Sequence, residues 1–215
     1  MTEIFVGIMV NIPEFGVEQA KTTSTLLINA LQKRTQNLRI TTLLGEEVTY
    51  QNVKKLLTDC NRYLSHRNRR AIIYYNGHGG QIKDENGDED DGMDEFWELA
   101  KGKKMIDDEI SEIFRDISDK SFLLLINDNC SSGTMIDKKL NDRPWICLSS
   151  CQDNQDSLAC KRGGIFTLYG LIPGIEKRDT VRGIHDEILR QIDIKTQTCM
   201  LTMTRDYLLN VELFV

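Results

Sequence analysis

The sequence predicts an α/β protein with a largely parallel sheet covered on both faces by helices. Three observations predict it. Short apolar runs recur along the chain, several of them unbroken rather than alternating, as in strands buried on both faces. Between them lie stretches whose apolar residues fall at i, i+3 and i+4, the stripe of an amphipathic helix. The chain has 215 residues, 40% of them hydrophobic, with only three prolines and no repeat or low-complexity linker. That is enough to bury one full core, so residues 1–215 are read as a single domain.

Taken in order, Ile4 to Val10 is an apolar run bounded by Asn11 and Pro13, and reads as the first strand. Val17 to Leu31 follows with helical spacing, and Leu38 to Leu44, rich in Thr and Ile, is the second strand. Val48 to Arg67 carries Val53, Leu56, Leu57, Cys60 and Leu64 on one helical stripe, and Ala71 to Tyr75 is strand three. Asp84 to Glu98 reads as a long acidic loop. Asp107 to Ile117 is a helix with Ile110, Ile113, Phe114 and Ile117 on one face, leading into the unbroken strand Phe122 to Ile126. Trp145 to Leu148 is a fifth strand, Gly164 to Leu171 and Val181 to Ile192 are helices, and Cys199 to Thr204 is the last strand.

Composition narrows the function. There are 33 acids against 27 Lys and Arg, a formal net charge of -6, whereas nucleic-acid modules concentrate basic residues on one face. No nucleic-acid partner is expected. No stretch approaches the roughly 18 consecutive apolar residues of a membrane helix, and Met1 to Phe5 lacks the basic segment of a secretory signal. The reading is therefore a cytoplasmic protein without a membrane partner, its six cysteines reduced. Cys147 and Cys151 have no His or Cys partners at zinc-finger spacing.

In an open parallel sheet the active site lies beyond the carboxyl ends of the strands. Two such ends carry chemistry. Strand three runs into Tyr75-Asn76-Gly77-His78-Gly79-Gly80, and strand four into Asn127-Asp128-Asn129-Cys130-Ser131-Ser132-Gly133. A free thiol has a pKa of about 8.5, and a nearby imidazole raises its thiolate fraction at neutral pH. The flanking glycines let backbone N–H groups approach a substrate. His78 and Cys130 are thus read as a catalytic pair rather than as a strand cap and one more buried cysteine.

These residues also carry a family resemblance. Tyr75-Asn76-Gly77-His78-Gly79 resembles the Y-S-G-H-G motif of metacaspases, and Asp128-Asn129-Cys130-Ser131-Ser132-Gly133 their D-x-C-H-S-G motif. Asp88 to Glu95 is similar to the G-D-E-x-D-G-Y-D-E loop, Ile106-Asp107-Asp108-Glu109-Ile110 to the D-D-E-[IL] helix start, and Leu148 to Gln155 to the S-x-C-x-D-x-Q stretch. The similarity runs from about residue 70 to 170. It implies a caspase-like α/β/α sandwich with a mainly parallel six-stranded sheet. A part like the large subunit would span about 1–140, and one like the small subunit about 141–215.

The resemblance further implies a cysteine endopeptidase, generally monomeric, acting on protein or peptide substrates after Arg or Lys. Cys130 would be the nucleophile, His78 the general acid and base, and the N–H groups of Gly79 and Cys130 the oxyanion hole. No third catalytic residue is evident. Asp128 matches a carboxylate of the basic-residue pocket. Gln19 stands where the family has a second Asp, Asn76 where it has Ser, and Ser131 where a His usually follows the nucleophile. Lys138, Lys139, Arg143, Lys161 and Arg162 are self-cleavage candidates by residue type alone.

Asp84 to Glu98 holds nine acids and no basic residue, which leaves 24 acids against 27 basic residues elsewhere. Hard oxygen clusters of this kind select Ca²⁺, although the EF-hand spacing is absent. By resemblance to calcium-activated metacaspases, the ligands would be Asp94, Asp107, Asp108 and Asp137. Two other readings use the same residues: a caspase-fold interaction module, weak or inactive in catalysis, and a calcium-binding regulator.

Overall fold

The computed structural model describes residues 3–84, 87, 92–130, 135, 142–152, 155–160, 162–193 and 197–214. The chain runs β1 (Ile4–Asn11), α1 (Gly16–Arg34), β2 (Leu38–Leu44), α2 (Tyr50–Leu64), β3 (Arg70–Lys83), β4 (Met93–Leu99), β5 (Lys103–Ile106) and α3 (Asp107–Ile113). It continues with β6 (Phe122–Asp128), β7 (Trp145–Ser149), β8 (Ala159–Cys160), β9 (Gly163–Gly164), α4 (Ile172–Lys177), α5 (Val181–Gln191) and β10 (Met200–Met203). The main sheet has the order β10-β7-β6-β3-β1-β2. All neighbours in it are parallel except β10, which runs antiparallel to β7. This is the mainly parallel six-stranded sheet expected from the sequence.

The unbroken apolar strands follow from burial on both faces. Ile4, Val6, Ile8 and Val10 of β1 pack with α1, α4 and α5, while Phe5 and Met9 face α2 and α3. β6 divides the same way, with Leu124 and Ile126 on one side and Leu123 and Leu125 on the other. Each helix contributes only a stripe, such as Val53, Leu56, Leu57, Cys60 and Leu64 of α2. Thr49 caps α2 by accepting a hydrogen bond from the Asn52 N–H at 3.3 Å, so the helix starts later than its apolar spacing suggests.

The acidic stretch is not all loop. Phe96, Trp97 and Leu99 are buried in β4, which pairs antiparallel with the far half of β3 and with β5. Its acids mask a strand that forms because β3 projects beyond the main sheet and offers it an edge. The helix expected at Gly164 to Leu171 also differs. Gly164 belongs to β9, and Phe166–Leu171 is a π-helical stretch that continues into α4. α3 ends at Ile113 in a 3₁₀ turn over Phe114–Asp116.

Beneath α4 and α5 lies a charge cluster. The nearly buried Glu187 carboxylate accepts hydrogen bonds from Lys177 Nζ and Arg178 at 2.8 Å, Gln191 at 3.1 Å and Arg190 at 3.3 Å. The hydrogen bonds from Lys177, Arg178 and Gln191 lower its pKa to about 2. A depressed folded-state pKa gives stability that is present above the unfolded value and lost as pH falls through the folded one. Glu187→Gln is therefore expected to lower the melting temperature by no more than a few degrees at pH 7, because its cationic partners are largely exposed and screened. The difference should vanish near pH 2, and thermal melts across that range check it.

Candidate active site

β3 is parallel to β1 and β6 through Gly77 and Asn76 respectively, then leaves them to pair with β4 from His78 onward. Its register with β6 sets Arg70 opposite Phe122 and Asn76 opposite Asp128. That offset equals the sequence separation of His78 and Cys130, but the pairing ends at Asn76 and Asp128: His78 lies within β3, opposite Glu98 of β4, rather than at the strand end the sequence suggests, because β3 runs on to pair with β4. The order β2-β1-β3-β6 also reverses direction between β1 and β3, and such a switch point is where open α/β sheets place their sites.

Close approach explains the glycine after His78. A Cβ on Gly79 would collide with Asn129 Nδ2 and lie 2.8 Å from the Cys130 carbonyl oxygen. β3 therefore lies directly against the loop that carries Cys130. Beneath it the Tyr75 ring stacks on Trp97 at 4.7 Å, and the Tyr75 hydroxyl sits 2.8 Å from the carbonyl oxygens of both His78 and Glu98. Trp97 Nε1 donates to Asn127 Oδ1 at 3.1 Å, tying the β4 hairpin to β6.

The two reactive groups each have a partner. Cys130 is half-buried, and its Sγ accepts the Ser157 N–H at 3.3 Å. Burial pushes the thiol pKa up, the Ser157 N–H pulls it down, and the Asp156 charge raises it again. The His78 ring is half-exposed, with Nε2 2.8 Å from Glu14 Oε1. The structure thus brings His78 and Cys130 to one edge without a hydrogen bond between them. Glu14 escaped the sequence reading: it lies in a turn with no periodicity. Only the pairing of β1 with β3, which sets Asn11 beside Gly77, carries it to the imidazole.

Asp128 is buried, and both carboxylate oxygens are engaged. Ser157 Oγ donates to Oδ1 at 2.9 Å and Thr167 Oγ1 to Oδ2 at 2.6 Å. Burial outweighs these bonds and pushes its pKa up to about 6. Asn76 Nδ2 donates to the Asp128 carbonyl at 2.9 Å. Gln19, on the first turns of α1, is buried with neither amide atom hydrogen-bonded among the described residues. Ser157 and Thr167 were not singled out in the sequence, because hydroxyl residues far along the chain give no local signal. Of the self-cleavage candidates, Arg143 donates to the Arg115 carbonyl at 3.0 Å, Arg162 is exposed, and Lys138, Lys139 and Lys161 lie outside the described residues.

Of the four proposed calcium ligands, Asp94 on β4 and Asp107 at the start of α3 are buried, and Asp108 is half-buried. Asp137 lies outside the described residues. Asp107 Oδ1 accepts the Asp108 N–H at 3.0 Å and Oδ2 the Glu95 N–H at 3.4 Å. Burial first, then the Glu95 charge and more weakly that of Asp94, raises the Asp107 pKa well above the carboxylate range. Crowded, oxygen-only donors have the chemistry a hard cation takes. Even so, no group of three or more metal-capable side chains is assembled among the described residues. The six cysteines are all free thiols, and no described helix is long and apolar enough to cross a membrane.

Known proteins resemble the chain in sequence and in fold. Metacaspase-1 of Saccharomyces cerevisiae is 31% identical over 157 residues, 65% of this chain and 36% of its own length. Metacaspase-3 of Arabidopsis thaliana is 36% identical over 106 residues, 46% of this chain and 27% of its own. The chain thus spans about a third of the length of these relatives. A crystal structure of a Geobacter sulfurreducens protein superposes with a TM-score of 0.76 at 21% identity, covering 100% of this chain and 99% of that one, and shows the same fold. Residues 9–139, more than half of the chain, match the family described as metacaspase, peptidase C14 domain, and the chain belongs to that family.

Proposed function

We propose that the protein is a cysteine endopeptidase that cuts after Arg or Lys and is stimulated by Ca²⁺. The observation that carries this is the close approach of the β3 segment bearing His78 to the Cys130 loop, where a Cβ on Gly79 would lie 2.8 Å from the Cys130 carbonyl oxygen. His78 takes the Cys130 proton, and the thiolate adds to the scissile carbonyl. The N–H groups of Gly79 and Cys130 receive the oxyanion. His78 then protonates the departing amine, and water, deprotonated by His78, hydrolyses the thioester.

Asp128 supports a basic substrate residue. The Ser157 and Thr167 hydroxyls can rotate to let a guanidinium or ammonium form charge-assisted bonds with the carboxylate. Only the ionised carboxylate does this well. Selectivity for an Arg over a neutral peptide is therefore expected to rise as pH passes about 6. In stability the sign is opposite. The folded-state pKa lies above the usual 3.8, so this group's contribution is full below that value and is lost as pH rises through about 6. Asp128→Asn should flatten both dependences and remove the basic preference.

For the cation, the reading rests on the crowded carboxylates at Asp94 and Asp107, with Asp108 and Asp137 as the further ligands. A bound Ca²⁺ would neutralise charge there. The test is a panel of reporter peptides ending in Arg, Lys or Asp, with calcium or chelator, on wild type and Asp107→Ala. Equal rates on all three peptides would end the specificity claim, and indifference to chelator would end the calcium claim. The burial-raised Cys130 thiol favours the second reading, a weakly active interaction module. Labelling of Cys130 by a thiol-directed peptide inhibitor no faster than a free thiol would select it.

A further inference from the structure

We propose that Glu14 is a positioning residue for His78: its carboxylate accepts the Nε2–H, leaving Nδ1 as the nitrogen that serves Cys130. This rests on the endopeptidase reading above and adds a third member to its pair.

The geometry is built by the β1–α1 turn. Phe15 N and Gly16 N both donate to the Ile12 carbonyl, at 3.1 and 3.2 Å, and Gly16 takes φ +72°, a value that favours glycine. Ile12 is buried and anchors the turn to the core. Glu14 therefore projects from a short hydrogen-bonded turn rather than from a free loop. Its Oε1 lies 2.8 Å from Nε2. Elsewhere around His78, Tyr75 holds its carbonyl, Glu98 of β4 stands opposite it in the antiparallel ladder, and Cys130 follows two residues after the end of β6.

A neutral imidazole has one N–H, and the group that accepts it decides which nitrogen is left basic. With Nε2–H held by Glu14, Nδ1 is the base. When Nδ1 takes the thiol proton, the ring becomes an imidazolium beside a carboxylate, and the same contact then favours the charged form. Because both side chains are substantially exposed, at 44% and 59%, the pair adds little to folding. Its effect falls on the chemistry.

The test reads thiol reactivity and turnover separately. Cys130 alkylation by iodoacetamide, followed from pH 4 to 10 without substrate, is measured for wild type, Glu14→Gln, Glu14→Asp, Glu98→Gln and His78→Ala. In wild type the thiolate should persist over a plateau that His78→Ala removes. In Glu14→Gln the plateau should narrow from its upper end, and kcat for an Arg peptide should fall by about tenfold with KM nearly unchanged. Glu14→Asp should recover part of both, and Glu98→Gln should leave the plateau in place. The difference between wild type and Glu14→Gln should shrink in 1 M salt, since an exposed pair is screened. A Glu14→Gln profile that superposes on wild type, or turnover that rises, overturns the positioning role while the pair stands. A wild-type profile untouched by His78→Ala overturns the pair and this role with it.

Discussion

Cys130→Ala is expected to abolish hydrolysis of Arg and Lys peptides, lowering kcat/KM by about 10⁴-fold or more, as loss of a nucleophile does in acyl-transfer enzymes. The fold should be unaffected. Cys130 is half-buried, and its Sγ accepts the Ser157 N–H at 3.3 Å, a weak interaction. His78→Ala should cost nearly as much, because burial raises the thiol pKa and His78 is the base proposed to take its proton. The two losses should not add, since the residues act as one unit. Steady-state kinetics beside thermal melts decides the matter. Hydrolysis that survives in Cys130→Ala would mean the activity belongs elsewhere.

The largest structural effect is expected at Gly164→Ala. A Cβ there would overlap both carboxylate oxygens of Asp128. Neither side can give way. Gly164 is fixed by pairing with Ala159, and the next residue by the Ile165 N–H on the Leu158 carbonyl at 2.8 Å. Asp128 is buried and held by Thr167 at 2.6 Å and Ser157 at 2.9 Å. Forcing extra volume into such a site costs about 3 kcal/mol, and a chain of this length loses roughly 10 °C in melting temperature. If the variant folds at low temperature, it should have lost selectivity for basic peptides with Cys130 alkylation preserved. Gly80→Ala, whose Cβ would meet only the Phe96 ring at 3.1 Å, is the comparison and should be mild. An unchanged melting temperature in Gly164→Ala would show that the Asp128 pocket is more yielding than its contacts imply.

Some of this was legible in the chain itself. β1, β6 and β7 announce themselves as unbroken apolar runs because a strand covered on both faces has no polar side to show. The parallel pairing of β3 with β6 is legible from the same apolar runs, but the continuation of β3 through His78 to Lys83 is not, because its far half carries Gly and polar residues and is ordered by β4. Nor is β4. Its acids obscure Phe96, Trp97 and Leu99, and the edge that orders it is supplied by the far half of β3. The resemblance singles out Asp128, but nothing in the chain shows its raised pKa, which comes from burial beneath residues from about thirty to forty positions further along.

By itself, then, the sequence determined the alternating α/β order, the helix stripes and the two residues on which the chemistry is proposed. Each depends on neighbours within a turn or a strand. The tertiary structure alone decided what surrounds them: Glu14 on His78, Ser157 on Cys130, Ser157 and Thr167 on Asp128, and the crowding of Asp107 by Glu95 and Asp94. The physical reason is that protonation and hydrogen bonding are set by distance and burial in three dimensions. Residues far apart in the chain reach the same few ångströms only when the sheet assembles.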